Sequence, residues 1–313
     1  NRATPAELVP ETSSPVQLIA GRQLGEITVS GLTEVGTDRT NPKMFFLNDF
    51  QFSNDLSVVF GRHHLKIGGL FERFHYNGNS ETRTRGQLRF SSLEDLLKFK
   101  AQDLQGASTD SDFIRGFRQS LFALYIQDDF RFNSRLTFNV GLRYETTTDP
   151  TEVNNKISNL NNIFDEEVSL SKTLFDSPKV NFAPRIGFAL DVFGNGKTAI
   201  RGGFGVFFDQ PLFHIYRTPV FRSLPFVNRG RLRAADFSTL PVDPNLFKGI
   251  EKATEALPTR FQPTYLMQYN LNIQQEILPQ TILTIAYVGS RGVNLVGAGD
   301  INTAIPQILP NGL

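Results

Sequence analysis

The side chains that could do covalent chemistry are few. Among 313 residues there is no Cys and there are four His, which removes thiol nucleophiles, thiolate metal ligands and disulfides. His63 and His64 are adjacent, so on a strand they point apart. Pairing one of them with His75 leaves a metal without a third ligand, and the pair is read as a turn exposed to water. Asp128-Asp129 and Glu166-Glu167 are neighbours too, and neither pair makes an acid/base dyad on its own. No Ser-His-Asp pattern or Gly-x-Ser-x-Gly elbow is present. Gly194-Asn195-Gly196-Lys197-Thr198 ends like a phosphate loop. However, Asp191 holds the place of that motif's first glycine, and an alternating segment follows where a helix is needed. A hairpin turn is the reading. These residues predict no enzyme, no metal site and no cofactor.

Binding chemistry is better supplied. Arg217, Arg222, Arg229, Arg231 and Arg233 form a basic run, with no acid across residues 210–235. Guanidinium forks suit an anionic ligand or the phosphates of lipopolysaccharide around a barrel mouth. The competing reading is a solvated loop with local ion pairs. Overall charge is balanced, 32 Lys+Arg against 31 Asp+Glu, so nucleic acid is not an expected partner.

The elements that would carry these residues alternate with period two. In residues 135–145, Leu136, Phe138, Val140, Leu142 and Tyr144 fall on one face, and Arg135, Thr137, Asn139, Gly141, Arg143 and Glu145 on the other. Residues 181–192 and 264–277 repeat this. Segments 44–60, 65–76, 117–132, 199–208, 281–288 and 23–30 read as further strands, about nine in all. No run approaches the roughly 18 apolar residues of a spanning helix. That excludes a helical membrane protein and leaves a β-barrel, whose strands are only half apolar, open.

Connections alternate strictly between tight and long. Gly61-Arg62-His63, Asn133-Ser134, residues 193–197 and Leu278-Pro279-Gln280 are hairpin turns. Residues 77–116, 148–180 and 209–261 are long links. In an up-and-down meander every turn then lies at one end and every loop at the other, as in outer-membrane barrels. Ser91-Ser92 followed by Leu93, Leu96, Leu97 and Leu104 predicts one capped amphipathic helix of about three turns in the first long link. Residues 1–16 and 301–313 are expected to be linkers or cut edges around a barrel segment of 17–300 with no plug domain.

The sheet's apolar face is expected to meet lipid, and its polar face a wet lumen lined by Arg143, Arg185, Arg201, Gln268, Asn270 and Asn272. Tyr144, Tyr265, Tyr269 and Tyr287 are candidates for interfacial girdles, although Trp is absent.

Three segments resemble TonB-dependent outer-membrane receptors. They are Leu124-Tyr125-Ile126-Gln127-Asp128-Asp129-Phe130 with residues 135–145, Phe182-Ala183-Pro184-Arg185-Ile186-Gly187-Phe188 with Arg201-Gly202-Gly203-Phe204-Gly205, and Gln268-Tyr269-Asn270-Leu271 with residues 286–292. The combination is similar to the Oar-like branch, which carries a carboxypeptidase-regulatory-like domain ahead of its plug. The resemblance implies a barrel of about 22 strands with a plugged lumen, a TonB contact in the periplasm and uptake driven by the proton-motive force. This chain shows about nine strands, no recognisable plug and no terminal aromatic, so an internal barrel fragment in the bacterial outer membrane is expected. The TonB complex would act through a missing N-terminal region, and the extracellular substrate is not specified. Expected lipid partners are outer-membrane lipid and lipopolysaccharide. The alternatives are a structural or adhesive outer-membrane barrel and a soluble all-β binding module.

Overall fold

The computed structural model describes residues 17–233, 240–250 and 255–299. The expected edge segments 1–16 and 301–313 lie outside them.

Eight long antiparallel strands form a meander in which sequence neighbours are spatial neighbours. They are β1 (Lys43–Phe60), β2 (His63–Ser80), β3 (Ile114–Arg131), β4 (Leu136–Thr147), β5 (Phe182–Asp191), β6 (Thr198–Asp209), β7 (Thr264–Leu278) and β8 (Thr281–Val293). The short strand Thr151–Glu152 pairs with β3 and completes a nine-stranded sheet. All four tight turns lie at one end of this wall and the three long links at the other. The fold is therefore an up-and-down, partial β-barrel.

Turn chemistry sets the hairpins. Gly61 and Gln280 have φ of 57° and 67°, the left-handed values that two-residue turns demand. In the β4 entry turn, Asn133 Oδ1 accepts the N–H groups of Arg135 and Leu136.

Period two then fixes the faces. Phe60, His63, Phe130, Phe138, Phe188, Gly202, Leu271 and Tyr287 stand in one cross-strand row. Lys66, Gln127, Gly141, Arg185, Gly205 and Gln268 stand in a row on the opposite face. The first face is bare among the described residues. The second is covered at its loop end by the links. There Phe74, Tyr76, Phe117, Leu121 and Ala123 form a core with Ile157, Phe175, Tyr216, Phe221 and Phe261.

Two expectations are corrected. Segment 23–30 does form a strand, Glu26–Val29, but not in the wall. It pairs in parallel with Gln87–Phe90 inside a separate five-stranded sheet that also holds Val35–Gly36, Asp103–Ala107 and Arg229–Arg233. This cap has its own core of Leu18, Ile19, Val29, Leu88, Phe90, Leu104, Val242 and Phe247. The predicted helix is shorter than expected. Helix α1 (Leu93–Leu97) is capped by Ser92, whose hydroxyl accepts the Asp95 N–H, and it stops before Phe99, at φ 52°. Leu104 is claimed by the cap strand Asp103–Ala107, where it is fully buried. Helix α2 (Phe213–Val220), in the last long link, was not expected.

Candidate functional site

The loop-covered face carries the polar side chains. Strand alternation brings Arg143, Arg185, Arg201, Gln268, Asn270 and Asn272 onto it together. Arg201 pairs across the ladder with Asn272, and Gly203 with Asn270. Arg143 forms an ion pair with Glu145 along the same strand face. The Arg185 guanidinium lies 4.7 Å from the centre of the Phe207 ring. Asn272 Oδ1 is buried without a partner among the described residues.

Sequence reading missed the neighbours that order this face. Asp129 accepts hydrogen bonds from Asn139 at 2.6 Å and Gln127 at 3.2 Å. Tyr125 donates to Asp55 at 2.8 Å. The signal was present, since all five occupy the polar parity of their strands, but only register shows which meet.

The adjacent histidines are not free turn residues. They open β2, and they meet the adjacent aspartates of β3 on opposite faces of the wall. His63 Nδ1 is 2.7 Å from Asp128 on the bare face, between the rings of Phe60 and Phe130. On the other face His64 lies 3.8 Å from Asp129 and hydrogen-bonds Ser57 at 2.7 Å. Among the described residues no group of three or more His, Asp or Glu could hold a metal. The phosphate-loop look-alike is a hairpin turn. Asp191 accepts the N–H groups of Gly194 and Gly196, the donors an anion would need.

The five loop arginines are divided. Arg222 and Arg229 both reach Glu255, at 3.0 and 4.0 Å. Arg231 reaches Asp103 at 3.5 Å, in the cap sheet. Arg217 lies 5.6 Å over the Phe45 ring. Arg233, at the end of the cap strand Arg229–Arg233, is exposed. Asp103 is the charge centre of the cap. Burial works against its ionisation, but hydrogen bonds from Arg89 and Gln105 and the charge of Arg231 outweigh it and hold the carboxyl below its usual range.

On the bare face, large apolar side chains are open to the surroundings. Val140 is 51% exposed, Ile186 55% and Leu271 47%. The Tyr144 ring lies tilted against Phe182 with ring centres 5.0 Å apart, and Phe208 against Tyr265 at 5.4 Å, both toward the loop end. Tyr269 and Tyr287 meet at 6.2 Å nearer mid-strand.

A long-stranded meander with short turns, long loops and two chemically opposite faces is the wall of an outer-membrane-type β-barrel. The outer membrane beta barrel domain family matches residues 3–312, and the chain belongs to that family. Its place is the bacterial outer membrane. No curated protein matches the chain. Among solved structures it is similar to the alcaligin outer membrane receptor FauA from Bordetella pertussis, at 14% identity and TM-score 0.39, over 86% of this chain and 32% of that one. It is similar to the outer membrane transporter YddB from Escherichia coli, at 11% identity and TM-score 0.43, over 81% of this chain and 27% of that one. The FpvAI–pyocin S2 complex aligns at 14% identity and TM-score 0.35, over 80% of this chain and 34% of that one. The chain thus spans about a third or less of the length of these structures.

Proposed function

We propose that this chain is part of the barrel of a TonB-dependent receptor of the Oar-like kind, which takes up a large or scarce substrate across the outer membrane. Its bare face meets acyl chains and its polar face borders a wet passage. One observation carries the reading. A single register places Arg143, Arg185, Arg201, Gln268, Asn270 and Asn272 on one side and Val140, Ile186 and Leu271, all exposed, on the other. Exposed apolar area of that extent costs about 25 cal/mol per Å² in water and nothing in hydrocarbon. Substrate would meet the cap first, then the polar face, with no covalent step. Energy would come from the TonB complex through a plug region. Arg217 and Arg233, the loop arginines with no acid partner among the described residues, are the ones left to meet an anionic substrate.

The absence of Cys gives a clean test. In intact cells a membrane-impermeant thiol reagent should label Asn270→Cys and spare Leu271→Cys. Equal labelling of both would end the lipid-facing assignment. Uptake abolished by a protonophore separates a driven receptor from a structural or adhesive barrel, for which the folded cap would serve as the contact surface.

A further inference from the structure

The bare face does not stay apolar to the loop end. Phe52, Phe71 and Phe122 form a row across β1, β2 and β3, with ring centres 6.4 and 5.1 Å apart, and it closes the apolar stretch of β2 and β3. That row stands eight residues along β2 from His63, or ~27 Å of strand, close to the height of a barrel's lipid band once tilt is allowed for. The next two rows on the same face change character. Arg73 pairs with Ser120, and His75 with Arg118. Asn48 and Asn77 flank them.

This is a cluster of two guanidinium groups and an imidazole on adjacent strands, with no counter-ion among the described residues. Arg73 donates from Nη1 to Ser120 Oγ at 3.0 Å. Arg118 donates from Nη1 to Asn77 Oδ1 at 3.0 Å and to the Phe117 carbonyl at 2.8 Å. Neither guanidinium has a carboxylate within ion-pair distance among the described residues, and their hydrogen bonds there all leave from Nη1, so Nε and Nη2 of each are left for a ligand. Among the described residues the acid whose charge reaches Arg118 is Glu152, without an ion pair. Its carboxylate is spent on the N–H groups of Gly116, Asn154 and Lys156. His75 is held against the Phe50 ring at 5.3 Å. Like charges juxtaposed across a sheet are destabilising unless something outside the protein neutralises them.

We propose that Arg73, His75 and Arg118 form a binding site for the phosphate groups of the outer-leaflet glycolipid, on the outer surface of the wall just beyond its apolar band. The proposal rests on the lipid-facing reading of the bare face. Planar guanidinium forks with two unspent donors suit a tetrahedral phosphate. Directly paired residues stand ~5 Å apart at Cβ and diagonal ones ~7 Å, so one phosphate can touch both arginines. The acyl chains would then run down over Phe71, Phe122 and Leu124, so head group and tail are matched by one strip of wall. The loop arginines of the cap play no part in this site.

The test titrates the full-length protein in detergent with phosphatidylethanolamine vesicles that contain diphosphoryl lipid A, and with vesicles that contain its dephosphorylated form. Wild type should bind the phosphorylated vesicles tightly. Arg73→Gln with Arg118→Gln should bind them at least ~10-fold more weakly, the loss of about one charged hydrogen bond. Arg73→Lys with Arg118→Lys, which keeps the charge but loses the fork, should bind between wild type and the Gln variant, and heat-modifiable gel mobility checks that each variant folds. Equal binding by wild type and the Gln variant overturns the site. So does equal binding of dephosphorylated vesicles. If millimolar inorganic phosphate displaces the vesicles fully, the ligand is a free anion and the lipid assignment falls. Wild type that binds neither vesicle overturns the lipid-facing reading along with the site.

Discussion

Tyr125 donates its hydroxyl to Asp55 at 2.8 Å although a whole strand, β2, runs between their own. The residue beneath the bridge is Gly68, in register with both. A Cβ at Gly68 would sit 2.4 Å from the Tyr125 ring and 2.1 Å from Asp55 Oδ1. The glycine is therefore a saddle over which the ring lies, tying three strands of the polar face together. Gly68→Ala should displace the ring and cost ~1–3 kcal/mol in urea unfolding from detergent micelles. Tyr125→Phe keeps the ring and should cost only about 1 kcal/mol. An alanine variant as stable as wild type would mean that the ring is not held there.

The two faces should answer oppositely to the same change. Leu271 and Asn270 are neighbours on β7 and point to opposite sides. Leu271→Arg should destabilise by ~2–4 kcal/mol when refolded into lipid vesicles, the figure for a charge near mid-bilayer on a lipid face. Asn270→Arg should cost less than 1 kcal/mol, about the range of a wetted surface substitution. Matching penalties at the two positions would remove the distinction between a lipid side and a water side.

The wall was legible in the sequence because its information is local. Alternation at Leu136, Phe138 and Val140 is set by one strand's own geometry, and the tight turns carry their chemistry in residues such as Asn133 and Gly194. The cap was not legible. Its strands are two to five residues long, too short for a period to show. Their partners are distant, Glu26 with Gln87 and Arg231 with Gln105. The same limit hid the ion pairs. The run of arginines is visible in the chain, but Asp103 and Glu255, which neutralise three of them, are far away in sequence. That Phe188 fills the space over Gly202, and Tyr269 that over Gly289, follows from register alone.

Acid should loosen the cap before the wall. Asp103 is nearly buried, and hydrogen bonds from Arg89 and Gln105 favour its charged form. Its carboxyl titrates below the ordinary value of 3.8. The stability it supplies is thus fully present above that value and is lost as pH falls through the lower folded value. Protease cleavage within residues 81–113 should rise as the medium is acidified below about pH 4, while the barrel keeps its folded gel mobility. Asp103→Asn should show that cleavage at neutral pH, at a cost of ~1–3 kcal/mol. A cap equally resistant at pH 3 and pH 7 would show that Asp103 does not hold it.

The last long link is fastened to the wall through Tyr216, and releasing it should open the passage without unfolding the barrel. Tyr216 is fully buried, with Phe117, Phe175 and Phe213 ring centres each 5.5 Å away. Its hydroxyl donates to Gln119 at 3.1 Å, and Gln119 in turn donates to the Pro211 carbonyl at 3.0 Å. The Tyr216 ring and two hydrogen bonds thus hold α2 against β3, beside Phe213, whose ring centre is 6.1 Å from that of Phe117 and 4.4 Å from that of Tyr76. The wall's backbone ladders do not pass through this contact, so the two can fail separately. Tyr216→Phe should cost about 1 kcal/mol and leave the link in place. Tyr216→Ala should remove ~3–5 kcal/mol of packing, enough to free residues 210–222 for proteolysis and to let small hydrophilic solutes through in a liposome-swelling assay. Heat-modifiable mobility should persist, because the strands remain paired. If the alanine variant instead lost its folded mobility together with the link, cap and wall would be one cooperative unit, and opening by local release would be ruled out.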